Sequence, residues 1–418
     1  MKIKIVKKTE LKEDFFEFTE MEEIDVVKDI LLDVKKKGDE AVKSYTKKFD
    51  GIDLSNFEIS KEEIKEAYEK VDDETIAAIK KAAANIEAFA KKQMQCFKDF
   101  SCEINANKLG QKVIPLQKVG VYAPGGLYPY PSSVLMGVIP AKVAGVKDVI
   151  VCSPKISAEA IVSADISGVS RIFNIGGVQA IGAMAYGTES VCKVDKIVGP
   201  GNKYVTAAKK EVFGVVGIDF LAGPSEVMVI ADDSGDRKLI AADLLAQAEH
   251  SPDAIAVLVT NSIDVANGVN EEVEKQLLDL KTKEVASQAL ENALIILVDD
   301  INEAIEIANK KAPEHLELQT SENVMKRLVQ ELVNYGSLFI GKNTAEVFGD
   351  YCSGTNHVLP TNGSAKYCAG LSVKDFVKIV TFQEITEEGK EEMINVAAKL
   401  AGVEGLDAHK KAALARKK

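Results

Sequence analysis

Histidine is scarce in this sequence: only His250, His315, His357 and His409 occur in 418 residues. None of the six cysteines forms a C-x-x-C pair, and they do not cluster as a secreted disulfide framework would, so reduced thiols are expected. Four of them sit in apolar or glycine-rich runs that suit a small buried hydrophobe. Positive charge is in deficit. Against 64 acidic residues stand 52 lysines and arginines, and a net charge of -12 repels phosphate backbones and anionic lipid, so neither a nucleic-acid nor a membrane partner is expected. No run reaches the ~18 apolar residues of a membrane helix, and the opening MKIKIVKKTELKEDFFEF has no sustained apolar core after its lysines. A cytoplasmic location is the expectation. Internal repeats and low-complexity tracts are also missing.

What is present is an ordinary globular balance, 46% apolar and 28% charged. The length is too great for one core and implies two or three lobes. From Met21 to about Gln95 the pattern is helical, with Ile24, Val27, Ile30 and Leu31 at helical spacing and Ser60 with Glu63 as a capping box. From about Val113 short β-branched runs end in Gly, Pro or Asn and lead into Ala-rich segments, the βαβ texture. Strands are expected at Val119 to Tyr122, Asp148 to Cys152, Arg171 to Ile175 and Lys196 to Val198. A second series is expected at Val227 to Ile230, Ala254 to Thr260, Leu294 to Val298 and Ser337 to Ile340. After Pro360 the chain turns polar and then helical, with too little apolar surface to close a core alone.

The histidines matter through their company. In LLAQAEH a helix would set Gln247 and His250 on one face ahead of a stop at Ser251-Pro252, so that two ligand atoms could converge; glutamine is an uncommon zinc ligand, and spacing alone leaves the pair undecided. Glu314 and His315 follow a helix-breaking proline in KAPEHLEL, which suggests a loop or helix start. An imidazole that takes a hydroxyl proton and a carboxylate that activates water are the two groups that two-step alcohol oxidation needs, although a surface ion-pairing segment fits equally well. Asp350 and His357 flank the loop YCSGTN, and Glu404 and His409 lie five residues apart in GVEGLDAHKK. The turns VYAPGGLYPYPSSV and VGPGNKYV follow expected strands and would let backbone approach a pyrophosphate, but neither fits G-x-G-x-x-G. The residues alone reach a nucleotide-using metalloenzyme.

The segments GVYAPGG, PSSVLMGVIPAKVAGV, GGVQAIGAMAYGT, VDKIVGPGNKYV, DFLAGPSEVMVIAD, LLAQAEH, APEHLEL, DYCSGTNHVLPT, GLSVKDF and EGLDAHK, in this order, resemble the histidinol dehydrogenase family across nearly the whole chain. LYPYP after Gly126 departs from the small-residue version of that loop. The resemblance implies an α/β fold of two Rossmann-like (aldehyde dehydrogenase-like) lobes with helical N- and C-terminal extensions. It implies an N-terminal arm at 1–16, a larger lobe of 17–120 plus 226–360, an NAD-binding lobe at 121–225, and a tail at 361–418 that crosses to a second subunit. One zinc per subunit would be held by Gln247, His250, Asp350 and His409, anchoring the imidazole and amino nitrogens of L-histidinol. Ser225, His357 and Glu404 match further substrate contacts, and Tyr122, Gln179 and Asn202 match NAD contacts. His315 would take the hydroxyl proton and Glu314 would activate water, carrying L-histidinol through L-histidinal to L-histidine in histidine biosynthesis, within a homodimer. Rival readings are a paralogue oxidising another small alcohol, a thiolate enzyme using Cys352, and a metal-binding module without catalysis.

Overall fold

The computed structural model describes residues 2–17, 24–125 and 129–417. Its strands are β1 (Lys4–Lys7), β2 (Phe100–Ile104), β3 (Asn107–Pro115), β4 (Lys118–Tyr122), β5 (Asp148–Cys152), β6 (Arg171–Phe173) and β7 (Lys196–Val198), then β8 (Gly217–Ile218), β9 (Glu226–Ala231), β10 (Ile255–Thr260), β11 (Leu294–Leu297), β12 (His315–Gln319), β13 (Ser337–Ile340) and β14 (Val377–Glu384). They form two all-parallel sheets and one small antiparallel sheet.

The five-stranded sheet runs β6-β5-β4-β7-β8, and the six-stranded sheet runs β1-β11-β10-β9-β12-β13. Each winds outward from its first βα unit and then reverses, between β4 and β7 in one sheet and between β9 and β12 in the other, the order of doubly wound nucleotide-binding folds. Sequence accounts for this. EVMVIA in β9 is buried at every position, and DVIVC in β5 at four of five, as strands covered by helices on both faces must be. Each fully buried Val or Ile contributes about 1.5–3 kcal/mol. Helix Pro131–Val143 is apolar nearly all round and is buried from Ser132 to Ala141.

Three expectations need correction. Helices Asp25–Lys37 to Asp73–Met94 pack on the five-stranded sheet's side, with Val27, Ile30 and Leu31 clustered with Ile181 and Met184, and Ile79 and Ile86 clustered with Val134 and Val138. The grouping of 17–120 with 226–360 does not match that packing, because an apolar helix stripe calls for a partner without naming it. The boundary at 120 also falls inside β4, and the start of the helical region, residues 18–23, lies outside the described residues. Second, the segment after Pro360 is not only polar and helical: β14 pairs antiparallel with β3, which pairs with β2. The hairpin escaped notice because all five residues of β2 are exposed, leaving no buried face to impose an apolar alternation. Third, His315 begins strand β12 rather than a loop or helix.

The N-terminal arm adds β1 beside β11 at the outer edge of the six-stranded sheet. At the other end, helix Asp407–Leu414 buries none of its residues. Among the described residues, no helix is long and apolar enough to cross a membrane.

Candidate active site

β9 and β12 are neighbours with His315 in register with Val227, which brings Ser225, Glu226, Glu314 and His315 to one end of the pair. This is the N-terminal edge of the six-stranded sheet, opposite to the edge where open α/β sheets usually bind ligands. Glu314 Oε2 accepts from Ser225 Oγ at 2.6 Å and from the Glu226 N–H at 3.0 Å. His315 Nδ1 lies 3.1 Å from the Glu226 carbonyl oxygen, which can only accept, so Nδ1 carries the hydrogen. Nε2 is therefore the bare nitrogen, and it is buried without a partner. Burial lowers the His315 pKa to about 3, against the opposing pull of that carbonyl, so the imidazole is neutral at physiological pH. Burial also pushes Glu314 well above the usual carboxylate range, with the Ser225 and Glu226 hydrogen bonds opposing.

Beside this pair, ligand atoms of His250, Glu346 and Asp350 all lie within 4.8 Å of one another. His315 Nε2 is 4.0 Å from Asp350 Oδ1, and His315 Nδ1 is 3.4 Å from Glu346 Oε1. Glu346 and Asp350 sit one turn apart on helix Glu346–Tyr351, which packs against helix Arg237–Ala248. That second helix carries Gln247, fully buried, with both amide atoms lacking a hydrogen-bond partner. An orphaned buried amide costs about 1–3 kcal/mol unless something absent supplies its partner. An imidazole, two carboxylates and an amide oxygen make a donor set that fits a divalent cation such as zinc. His250 follows the helix end, its N–H donating to the Gln247 carbonyl at 3.3 Å.

Glu346 was not among the expected residues. Its spacing of four from Asp350 was a usable signal, since i and i+4 share a helix face. His357 is half-buried, its Nδ1 2.7 Å from the Asp350 carbonyl oxygen, and burial lowers its pKa. Within the chain, Glu404 is exposed in the turn between the C-terminal helices and His409 is exposed on the last of them, and His409 is not part of the His250 cluster. Cys352 is exposed at the end of helix Glu346–Tyr351, where its carbonyl accepts from Asn85 Nδ2 at 2.6 Å. Of the cysteines only Cys152 is buried, so the expectation of several buried thiols is too generous.

On the five-stranded sheet the expected cofactor residues stand at the C-terminal edge, near its reversal point. Tyr122 ends β4, and its hydroxyl accepts from the Gly177 N–H at 3.1 Å, at the start of the helix that carries Gln179. Gln179 is buried with Oε1 unpartnered, a polar atom that a bound ligand would satisfy. Asn202 caps helix Lys203–Val212. Of the departing segment LYPYP, residues 127 and 128 lie outside the described residues, and Tyr130 and Pro131 form the N-cap and first residue of helix Pro131–Val143.

Comparison with known proteins identifies the family. The profile of the family described as histidinol dehydrogenase matches residues 16–417. Histidinol dehydrogenase of Methanocaldococcus jannaschii is 47% identical over 94% of this chain and 92% of its own length, and that of Aquifex aeolicus is 48% identical with the same coverage. The crystal structure of histidinol dehydrogenase from Elizabethkingia anophelis superposes with a TM-score of 0.94 at 39% identity, covering 99% of this chain and 98% of that one.

Proposed function

Because the chain belongs to the histidinol dehydrogenase family, we propose that it is the zinc-dependent, NAD-linked form of that enzyme, oxidising L-histidinol through L-histidinal to L-histidine. The observation that carries this reading is the bare, neutral Nε2 of His315, held beside the His250, Glu346 and Asp350 cluster.

The reaction has to balance. An alcohol, water and two NAD become a carboxylate, two NADH and three protons. His315 accepts the hydroxyl proton at Nε2 in the first oxidation, and the Glu226 carbonyl keeps its other nitrogen protonated throughout. Glu314 in its ionised form, a stronger base than an ordinary carboxylate because burial raises its pKa, takes a proton from the water that adds to the aldehyde. Ser225 orients that carboxylate through its 2.6 Å hydrogen bond. Gln247, His250 and Asp350 would hold zinc, with Glu346 beside them and His409 arriving from a second subunit. When bound, zinc supplies a fixed cation on which substrate nitrogens are anchored, and NAD supplies the hydride acceptor. Tyr122, Gln179 and Asn202 would receive NAD on the other lobe.

His357 and Glu404 would contact the substrate. Glu404 and His409 stand exposed together with Leu400, Val403 and Leu406, an apolar, site-bearing tail that suits the homodimer with shared sites. A biosynthetic enzyme using NAD and six unpaired thiols belongs in the cytoplasm. The test is NADH formation from L-histidinol before chelation, after it, and after zinc is restored. Two NADH per substrate, lost on chelation and recovered with zinc, supports the reading; no NADH from zinc-loaded protein overturns it.

A further inference from the structure

Gly199, the residue after β7, is held on both sides of its own backbone. Its N–H donates to Asp219 Oδ2 at 2.8 Å, and its carbonyl accepts from Lys209 Nζ at 3.0 Å. Lys209 and Asp219 are also ion-paired to each other, with side chains 4% and 1% exposed. The three residues close a ring that joins the turn after β7, helix Lys203–Val212 and the segment just beyond β8.

An ion pair this deep is poor evidence of a contribution to stability, because desolvating two charges offsets most of their attraction and apolar residues of like volume often serve as well. What the pair does here is grip one peptide unit. That unit is already constrained: Gly199 has φ +115°, and a Cβ there would lie 2.0 Å from the Tyr122 carbonyl oxygen. The turn is thus pressed against the end of β4 at the sheet's reversal point. Three residues on, Asn202 commits its Oδ1 to the N–H groups of Tyr204 and Val205, which leaves its amide hydrogens to offer.

We propose that Lys209 and Asp219 are positioning residues for the dinucleotide: they fix the Gly199 peptide, and with it the Pro200 to Asn202 turn that presents the Asn202 amide hydrogens to the cofactor. Neither residue touches the cofactor, and the proposal rests on the NAD-linked reading above. Each residue secures one end of the peptide, and their mutual pairing keeps both in place.

The double variant K209M/D219N removes the ion pair and the Lys209 hold on the Gly199 carbonyl without leaving either charge buried alone, and only the Gly199 N–H bond to residue 219 can remain. Its KM for NAD should rise about tenfold or more, while the KM for L-histidinol moves less than about twofold and zinc content is retained. A folded double variant with the wild-type KM for NAD overturns the proposal and leaves the NAD-linked reading standing. Wild-type protein that reduces no NAD with L-histidinol overturns that reading and this proposal together. Should the double variant not fold, K209Q/D219N serves, because glutamine can still donate toward the Gly199 carbonyl and asparagine can still accept from its N–H while the ion pair is lost and no charge is left buried alone. A smaller rise in the KM for NAD is then expected, and an unchanged value overturns the proposal.

Discussion

A single residue's backbone serves both proposed catalytic side chains: the Glu226 N–H holds the Glu314 carboxylate, and the Glu226 carbonyl sets the tautomer of His315. The Glu226 side chain is anchored in turn by Lys311 Nζ at 3.3 Å and by the Asn362 N–H at 3.0 Å. Two residues along β12, buried Glu317 accepts from Gln319 Nε2 at 2.6 Å and lies beside Asp243 of helix Arg237–Ala248. Burial pushes the Glu317 carboxyl far above its ordinary value of 4.5, the Asp243 carboxylate pushes it further, and Gln319 pulls back. The folded chain therefore keeps a proton that the unfolded chain releases above about pH 4.5, so this group's contribution to stability is lost as pH rises toward the raised value. His315 works in the other direction, because its folded pKa of about 3 lies below its ordinary 6.5, and its share of stability is lost as pH falls through that window. Replacing Glu317 by glutamine keeps the shape and removes the first dependence. Melting temperature should fall less between about pH 6 and about pH 9 in E317Q than in wild type, and equal falls would show that Glu317 holds no such proton.

At the scale of elements, helix Glu346–Tyr351 presents two carboxylates, one turn apart, to His250 and His315. E346Q should weaken zinc affinity about 10- to 100-fold, read by chelator competition, whether the carboxylate binds the ion or steadies those that do. Wild-type affinity would remove Glu346 from the metal centre. This helix also shows what sequence could and could not reveal. The strands from β4 to β7 and from β9 to β11 were legible, because strands covered on both faces are mostly runs of apolar residues. HLELQ in β12 was not legible, since its polar residues read as surface although all five are buried. Gln319 donates to Glu317 inside, an arrangement that only tertiary pairing discloses. β2 and β14 failed for the opposite reason: largely exposed, they needed no buried face to leave a mark. Gln247, His250, Asp350, Glu314 and His315 stood out through spacing and company, and the resemblance supplied their roles. The spacing of Glu346 from Asp350 alone could have added the missing member.

At the scale of the whole molecule, the question is where His409 and Glu404 act. Both are exposed within the chain, Glu404 in the turn after helix Lys390–Val403 and His409 on helix Asp407–Leu414, which pack against each other, and Val403 and Leu406 beside them are exposed as well. If the tail completes the site of a second copy, sites are shared by symmetry and can be repaired by mixing. Take H315N, which lacks the base, and H409N, which lacks the tail ligand, each inactive alone. In a mixed dimer the H409N body keeps its own His315 and receives an intact tail from the H315N chain, so one of the two sites is whole. Random assembly after unfolding and refolding the two together makes half of the dimers mixed, and about a quarter of wild-type activity should return. If each tail instead folds back onto its own body, every site in the mixture lacks either His315 or His409. The refolded mixture would then stay as inactive as its parents, and the shared-site dimer would be wrong.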